Sequence, residues 1–331
     1  MTHRLILLAA LLPLLAPQRD VSAPPGTNAK LAFSPDGRFL YAIGDDAMTY
    51  DVSTGRLLNR TTLKPGTETF SIASDGTTAI LAERDSGQHA RLMFFDLGKH
   101  KLESVPSALY EPVYDGPDAA LSADGRLFSI YSESGSSDRP MTVTVYDRSS
   151  GKTIAKRTSE FISAGGTFGG GITPDGAIEF VNNRAGRKVV DLKTARFVGR
   201  FSFASVRSPD GRWVVELPNR TWDDSAAKDV IIKDGRNGAV IGKMALQIED
   251  DETYGSIHAA FCGISGRFIV GRGRAVTLHA IPSGAMIANL PVSSWQDNTA
   301  HISDPVYVAC STTGIHAAVL SGNRLTLHDM R

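Results

Sequence analysis

Short apolar runs rich in β-branched and aromatic residues, each bounded by turn residues, recur along the chain. Phe39–Ile43, Leu127–Tyr131 and Trp213–Leu217 are examples. Runs of this length and composition predict β-strands. A longer apolar run occurs only near the N-terminus, and no helical periodicity follows it. The pattern therefore predicts an all-β domain.

A tight-turn motif stands before many of these strands. Ser34–Gly37 reads Ser-Pro-Asp-Gly, Ser208–Gly211 repeats it, and Ser311–Gly314 is a degenerate copy. Proline fixes one turn position, aspartate bonds to nearby backbone, and glycine accepts a positive φ. The seven turn glycines are Gly37, Gly76, Gly125, Gly176, Gly211, Gly266 and Gly314. Their intervals average about 46 residues, which is typical of propeller blades.

Each repeat has the same internal order of four strands. The third strand ends in an aromatic or aliphatic residue followed by aspartate, as in Tyr50-Asp51 and Tyr146-Asp147. A second turn such as Ser53–Gly55 then leads into a fourth strand. Seven copies of four strands predict a seven-bladed β-propeller of antiparallel blades.

These motifs resemble those of the WD-repeat-like and YVTN-type propellers of bacterial envelope proteins. The Ser-Pro-Asp-Gly turn, the aromatic-Asp pair and the Thr-Gly turn carry the resemblance, together with Glu179–Asn183 and Val189–Asp191. The resemblance covers roughly residues 27–331 and implies a propeller fold. The Gly-His and Trp-Asp pairs of eukaryotic WD repeats are missing, so their hydrogen-bond network is not expected here.

Residues 1–23 are predicted to be a signal peptide and lead-in, followed by a single propeller domain over residues 24–331. Leu5–Ala16 is an apolar run of 12 residues after a basic start. At about 1.5 Å per residue it is too short to span a bilayer as a helix, but it fits a secretory leader. Cleavage after Ala16 or after Ala23 stays open. We expect a periplasmic or secreted protein without an integral membrane span.

The last repeat lacks a fourth strand of its own. Leu325–Asp329 is its third strand, and the sequence given ends at Arg331. We expect residues such as Arg19–Ala23 to supply the outer strand of blade seven. A blade of three strands is the alternative.

Charge and cysteine content narrow the choice of partners. The 35 Lys and Arg residues balance 35 Asp and Glu residues, which argues against general binding to nucleic acid or anionic membranes. The two cysteines, Cys262 and Cys310, hold equivalent places before the turns of blades six and seven. Because equivalent side chains are expected to point the same way, the interpretation favours buried free thiols.

Long insertions fall only between strands two and three of a blade, or between one blade and the next. In an up-and-down blade both kinds of connection emerge on one face, and binding residues concentrate in such loops. We call this surface the loop-rich face and take it as the candidate binding surface. Its candidate residues are Tyr110, Tyr114, Phe168, Trp222, Asp223, Asp224, Asp251, Tyr254, His258, Trp295 and His301.

The sequence predicts neither a metal nor a cofactor. The carboxylates at 223–224 and 249–252, with Asp297 and Asp304 further on, are a Ca²⁺ candidate, but their spacing matches no EF-hand or calcium-repeat pattern. His279 and His328 occupy the position of Tyr50 and are interpreted as structural residues. The glycine-rich segment 165–171 is expected to allow close packing near the axis.

The sequence thus predicts an exported, monomeric, non-enzymatic scaffold that binds a protein or peptide partner through the loop-rich face. The alternative is a propeller enzyme, a lactonase-like hydrolase or an oxidoreductase, with its site at the mouth of the central channel. Candidate residues for that alternative are Asp118, Asp223, Asp251, His258 and His301.

Overall fold

The computed structural model of the chain is built entirely from strands and turns in the part that it describes. This part comprises residues 18–22, 25, 29–84, 90–110, 119–132, 142–158, 168–182, 186–202, 205–218, 229–246, 257–263, 265–272, 275–292 and 306–331. Within these ranges no helix is long and apolar enough to cross a membrane.

The strands form seven antiparallel sheets of four strands each. Blade one contains β2 (Lys30–Phe33), β3 (Phe39–Ile43), β4 (Asp46–Asp51) and β5 (Leu57–Thr62). Blade two contains β6 (Thr67–Ile72), β7 (Thr78–Arg84), β8 (Ala90–Asp96) and β9 (Lys101–Tyr110). Blade three contains β10 (Ala119–Leu121), β11 (Leu127–Ser132), β12 (Thr142–Asp147) and β13 (Thr153–Thr158).

Blades four to six repeat this order. Blade four contains β14 (Phe168–Ile172), β15 (Ile178–Asn182), β16 (Gly186–Val190) and β17 (Phe197–Phe201). Blade five contains β18 (Ser205–Arg207), β19 (Trp213–Glu216), β20 (Asp229–Asp234) and β21 (Val240–Ala245). Blade six contains β22 (His258–Phe261), β23 (Arg267–Arg272), β24 (Ala275–Ala280) and β25 (Met286–Leu290).

Blade seven combines both ends of the chain. Its three inner strands are β26 (Val306–Cys310), β27 (His316–Ser321) and β28 (Arg324–Asp329), and its outer strand is β1 (Gln18–Asp20). The predicted all-β fold of seven four-stranded blades is confirmed. The expected closure by the N-terminal segment is confirmed too, although the strand lies at Gln18–Asp20 rather than Arg19–Ala23.

Closure involves more than the pairing of two strands. Gln18 pairs with His328 and Asp20 with Thr326 in the antiparallel register. Asp20 also forms an ion pair with Arg324. One residue further on, the Val21 amide donates to the Leu325 carbonyl at 3.1 Å.

The first turn of each blade is fixed by the residues of the repeated motif. In blade one the Ser34 hydroxyl donates to Asp36 Oδ1 (2.6 Å) and accepts from the Phe39 amide (3.0 Å). Gly37 completes the turn with a φ of +71°, which favours glycine. Blades three and five repeat the serine–aspartate bond at 2.7 Å.

The core lies between neighbouring blades. Phe128 of blade three is fully buried. Its ring meets Phe94 of blade two edge to face, with 5.1 Å between centroids, and stacks on Tyr146 at 5.0 Å. Each blade therefore buries its apolar face against the next one, which is the source of most of the stability of such repeats.

Glycine on the inner strand β14 allows blades three and four to approach closely. A Cβ atom at Gly171 would lie 2.8 Å from Ala120 Cβ and 3.1 Å from Ser129 Oγ. The same serine hydroxyl accepts the Ile172 amide at 2.7 Å. For this part of the glycine-rich segment, the expected close packing near the axis is confirmed.

The expectation of free thiols is wrong. Cys262 and Cys310 form a disulfide bond, with their Cα atoms 4.8 Å apart. Cys262 directly follows β22 and Cys310 ends β26, and these innermost strands converge where the wedge-shaped blades are closest. The expected parallel orientation overlooked this convergence, which brings the two side chains within bonding distance.

Replacing both cysteines with alanine is expected to lower the free energy of unfolding. The bridge joins residues 48 positions apart, and closing a loop of that length in the unfolded chain corresponds to about 4 kcal/mol. Urea unfolding should give a lower midpoint for Cys262→Ala/Cys310→Ala. Dithiothreitol should lower the urea midpoint of the wild type and leave that of the variant unchanged. Equal midpoints for the two proteins without reductant would contradict a disulfide bond between Cys262 and Cys310.

Candidate functional site

The strand topology places the ends of all seven long insertions on the same face. These insertions are residues 84–90, 110–118, 133–140, 160–171, 218–228, 247–258 and 291–305. The insertion after β7 joins a second strand to a third, and the one after β9 joins blade two to blade three. The opposite face carries the short first and third turns of the blades, and we call it the turn face. The predicted separation of long and short connections is confirmed by the strands that flank them.

Three of the predicted site residues lie on described strands. Tyr110 ends the outer strand β9, Phe168 begins the inner strand β14, and His258 begins the inner strand β22. All three positions are at the loop-rich face, but β9 is the outermost strand of its blade, whereas β14 and β22 line the centre.

The other candidate residues lie outside the described part of the chain. They are Tyr114, Trp222, Asp223, Asp224, Asp251, Tyr254, Trp295 and His301. Asp118, a candidate of the enzymatic alternative, and the Ca²⁺ candidates at 249–252 lie outside it as well. Among the residues that are described, no group of three His, Cys, Asp or Glu side chains is arranged to hold a metal ion.

His258 packs against an aromatic residue that the sequence reasoning did not select. Its ring lies 4.6 Å from the ring of Tyr307, the second residue of β26. Burial lowers the pKa of His258, so the imidazole is neutral at pH 7. The pair lies between the inner strands of blades six and seven near their loop-rich ends, and the disulfide joins the same two strands at their other ends.

A groove on the turn face, between blades two and three, was also not predicted. Its volume is about 480 Å³. Its lining residues are Phe94, Glu103, Asp124, Gly125, Arg126, Asp147, Arg148 and Ser149.

Arg148 holds this groove in shape. Its Nη1 donates to Thr78 Oγ1 (2.6 Å), its Nη2 donates to Glu103 Oε2 (3.0 Å), and its guanidinium lies 5.0 Å from the centre of the Phe94 ring. The equivalent position carries an apolar side chain such as Val52 in five of the other six blades, and Gly235 in blade five. This departure from the repeat is the sequence signal for the groove.

The charges that face the groove suit binding better than proton transfer. Hydrogen bonds from the Ser149 and Ser150 hydroxyls lower the pKa of Asp147 to about 2. That carboxylate is therefore ionised at physiological pH. Arg148 joins blades two and three, and we assign it a structural role.

The described histidines are neutral packing residues at pH 7. Burial is the largest cause of a lowered pKa at all five of them: His100, His258, His279, His316 and His328. His279 bonds to the Gly284 carbonyl (3.0 Å) and the Thr277 hydroxyl (2.7 Å). His328 is 1% exposed, and neither ring nitrogen has a hydrogen-bond partner in the described structure. The interpretation of His279 and His328 as structural residues is confirmed by their burial.

A search of protein-family models and a search of curated proteins found no match to this chain.

His328→Phe is expected to reduce the loss of stability in mild acid. Burial lowers the pKa of His328 to about 4, below its ordinary value of 6.5, so the folded state binds fewer protons than the unfolded state between these two values. The stabilisation is complete above pH 6.5 and is lost as the pH falls towards 4. A pKa shift of this size changes the free energy of unfolding by about 3 kcal/mol.

Urea unfolding at pH 7 and at pH 4 measures this contribution. The variant carries the phenylalanine found at the equivalent Phe95, and its other titrating groups match those of the wild type. The wild type should lose about 3 kcal/mol more than the variant between the two pH values. Equal losses would show that His328 does not titrate as a buried group.

Proposed function

We propose that this protein is an exported, non-enzymatic β-propeller scaffold that binds a protein or peptide partner through its loop-rich face. The observation that carries the proposal is the unequal elaboration of the two faces. Every long insertion connects strand ends on one face, and loops held by a rigid scaffold are where binding residues concentrate.

The turn face supplies the rigidity that such a scaffold needs. Its turns bond within each blade and across neighbouring blades. The Asp75 amide donates to the Ala123 carbonyl (2.9 Å), and the Ala123 amide donates to the Pro174 carbonyl (2.8 Å). The Thr312 hydroxyl donates to the Pro35 carbonyl at 2.9 Å and thereby links blades seven and one. Hydrogen bonds between turns thus link blades two, three and four to one another and blade seven to blade one.

The composition of the insertions supports a protein or peptide as the partner. Two of the three tryptophans, Trp222 and Trp295, lie in them, together with Tyr114 and Tyr254. Tryptophan and tyrosine are enriched among the residues that dominate binding energy at protein interfaces. The balanced net charge of the chain gives no support to nucleic acid as the partner.

Two independent features support export to the periplasm or the exterior. The short basic start and the apolar run Leu5–Ala16 have the composition of a secretory leader. The Cys262–Cys310 bridge belongs to a class of bond that persists in oxidising compartments and is rare in the cytosol. We assign the chain to the bacterial WD-repeat-like and YVTN-type propellers within this proposal, on the repeated motifs alone.

Trp222→Ala/Trp295→Ala is expected to abolish partner capture from an envelope extract. A matched control is Phe197→Ala/Met286→Ala, which removes two side chains, 59% and 63% exposed, from the outer strands β17 and β25. A partner recovered by the wild type and by the control, but not by the tryptophan variant, would then be purified for titration.

In that titration the tryptophan variant should bind at least 30-fold more weakly than the control, because losing one dominant interface residue costs about 2 kcal/mol or more. Equal binding by both variants would contradict the proposal that the aromatic residues of the loop-rich face form the binding surface.

A further inference from the structure

The segment just before blade one is part of the folded domain. Two alanines, Ala16 and Ala23, are compatible with the end of a secretory leader, and each is followed by proline. An A-x-A-like cleavage site has a small residue two positions before the last residue of the leader. Leu14 holds that position for Ala16 and the smaller Val21 holds it for Ala23, so the local sequence gives Ala16 no preference over Ala23. The contacts of residues 18–22, which lie between the two alanines, do distinguish them.

The first three of these residues complete blade seven. Gln18–Asp20 form β1, pair with β28 along their whole length, and give this blade the four strands that the other blades have. Asp20 accepts from Arg324 Nε at 3.2 Å and from Thr326 Oγ1 at 3.5 Å. Arg19 Nη1 donates to the Val52 carbonyl of blade one at 3.4 Å.

The next residues attach the segment to blade one. The Ser22 amide donates to the Gly55 carbonyl, and the Ser22 hydroxyl accepts the Leu57 amide, each at 3.2 Å. Val21 packs against the apolar core shared by blades seven and one. Residues 18–22 therefore join the first and last blades of the ring.

Cleavage after Ala23 would remove all of these contacts. It would leave β28 as the open edge of blade seven, although Leu325, Leu327 and His328 on that strand are now at most 3% exposed. Unpaired edges with apolar side chains are a site of aggregation and local opening. Cleavage after Ala16 would remove none of the contacts.

We propose that the leader is removed after Ala16, so that the mature chain begins at Pro17 and keeps Gln18–Ser22 as the closing segment of the ring. This inference rests on the proposed export of the protein. It assigns a processing site for a signal peptidase and divides residues 1–23 into a leader that is removed and a strand that stays.

The experiment is to express the full chain in an exporting bacterial host and to determine the N-terminus of the protein in the periplasm and in the cytoplasm by intact mass and peptide mapping. Ala16→Trp and Ala23→Trp form a matched pair, because a bulky residue before the cut blocks a signal peptidase. We expect the wild-type protein in the periplasm to begin at Pro17. The Ala16→Trp variant should keep its full length, and the Ala23→Trp variant should be cut at the same place as the wild type.

Other outcomes overturn the inference in distinguishable ways. A periplasmic wild-type protein that begins at Pro24, or one that keeps Met1, would refute cleavage after Ala16 while leaving export intact. A full-length chain confined to the cytoplasm would refute export itself. If either variant fails to accumulate, the N-terminus of the wild-type protein still decides between the two sites.

Discussion

The antiparallel pairing of β1 with β28 is the interaction on which the rest of the structure depends. Each blade buries its apolar side chains against its neighbours, so an open ring would expose two such surfaces at once. Blade seven prevents this by combining both ends of the chain: Gln18–Asp20 from the start and Arg324–Asp329 from the end. The Cys262–Cys310 bridge adds a covalent link between the inner strands of blades six and seven.

A closed ring gives its two faces different physical roles. On the turn face, serine, aspartate and glycine satisfy backbone groups inside each turn, and hydrogen bonds such as that from Asp75 to Ala123 connect neighbouring blades. These bonds restrict which residue types can occupy the positions of the turns. On the loop-rich face the strand ends are fixed, but the insertions between them differ in length and composition. This contrast is the physical basis for proposing that recognition occurs on one face only.

The repeat made most of the fold predictable from sequence. Turn chemistry at Ser34–Gly37 and its copies set the number of blades, and the position of Tyr50 within its strand explained why His279 and His328 are buried. The disulfide was not predictable in the same way. Sequence register shows that Cys262 and Cys310 are equivalent, but it contains no information on how closely two inner strands converge near the axis.

The candidate site was less predictable for a related reason. The loop-rich face followed from the positions of the insertions, and His258 begins the inner strand β22 at that face. Its neighbour Tyr307 was missed because the contact joins two strands of different blades, about 50 residues apart in sequence. Arg148 did leave a signal, an arginine at a position that is apolar in Val52, but only the structure shows the groove that it shapes.

Amide hydrogen exchange at Thr326, Leu327 and His328 tests the central claim of ring closure most directly. In an antiparallel strand, successive amides point to opposite neighbours, and these three residues pair with β27 on one side and β1 on the other. If the N-terminal strand closes the ring, all three amides should exchange as slowly as those within β27. Leu327 is directed towards β1, on the same side as Leu325, which accepts from the Val21 amide. Fast exchange of the Leu327 amide would show an open edge and contradict the account.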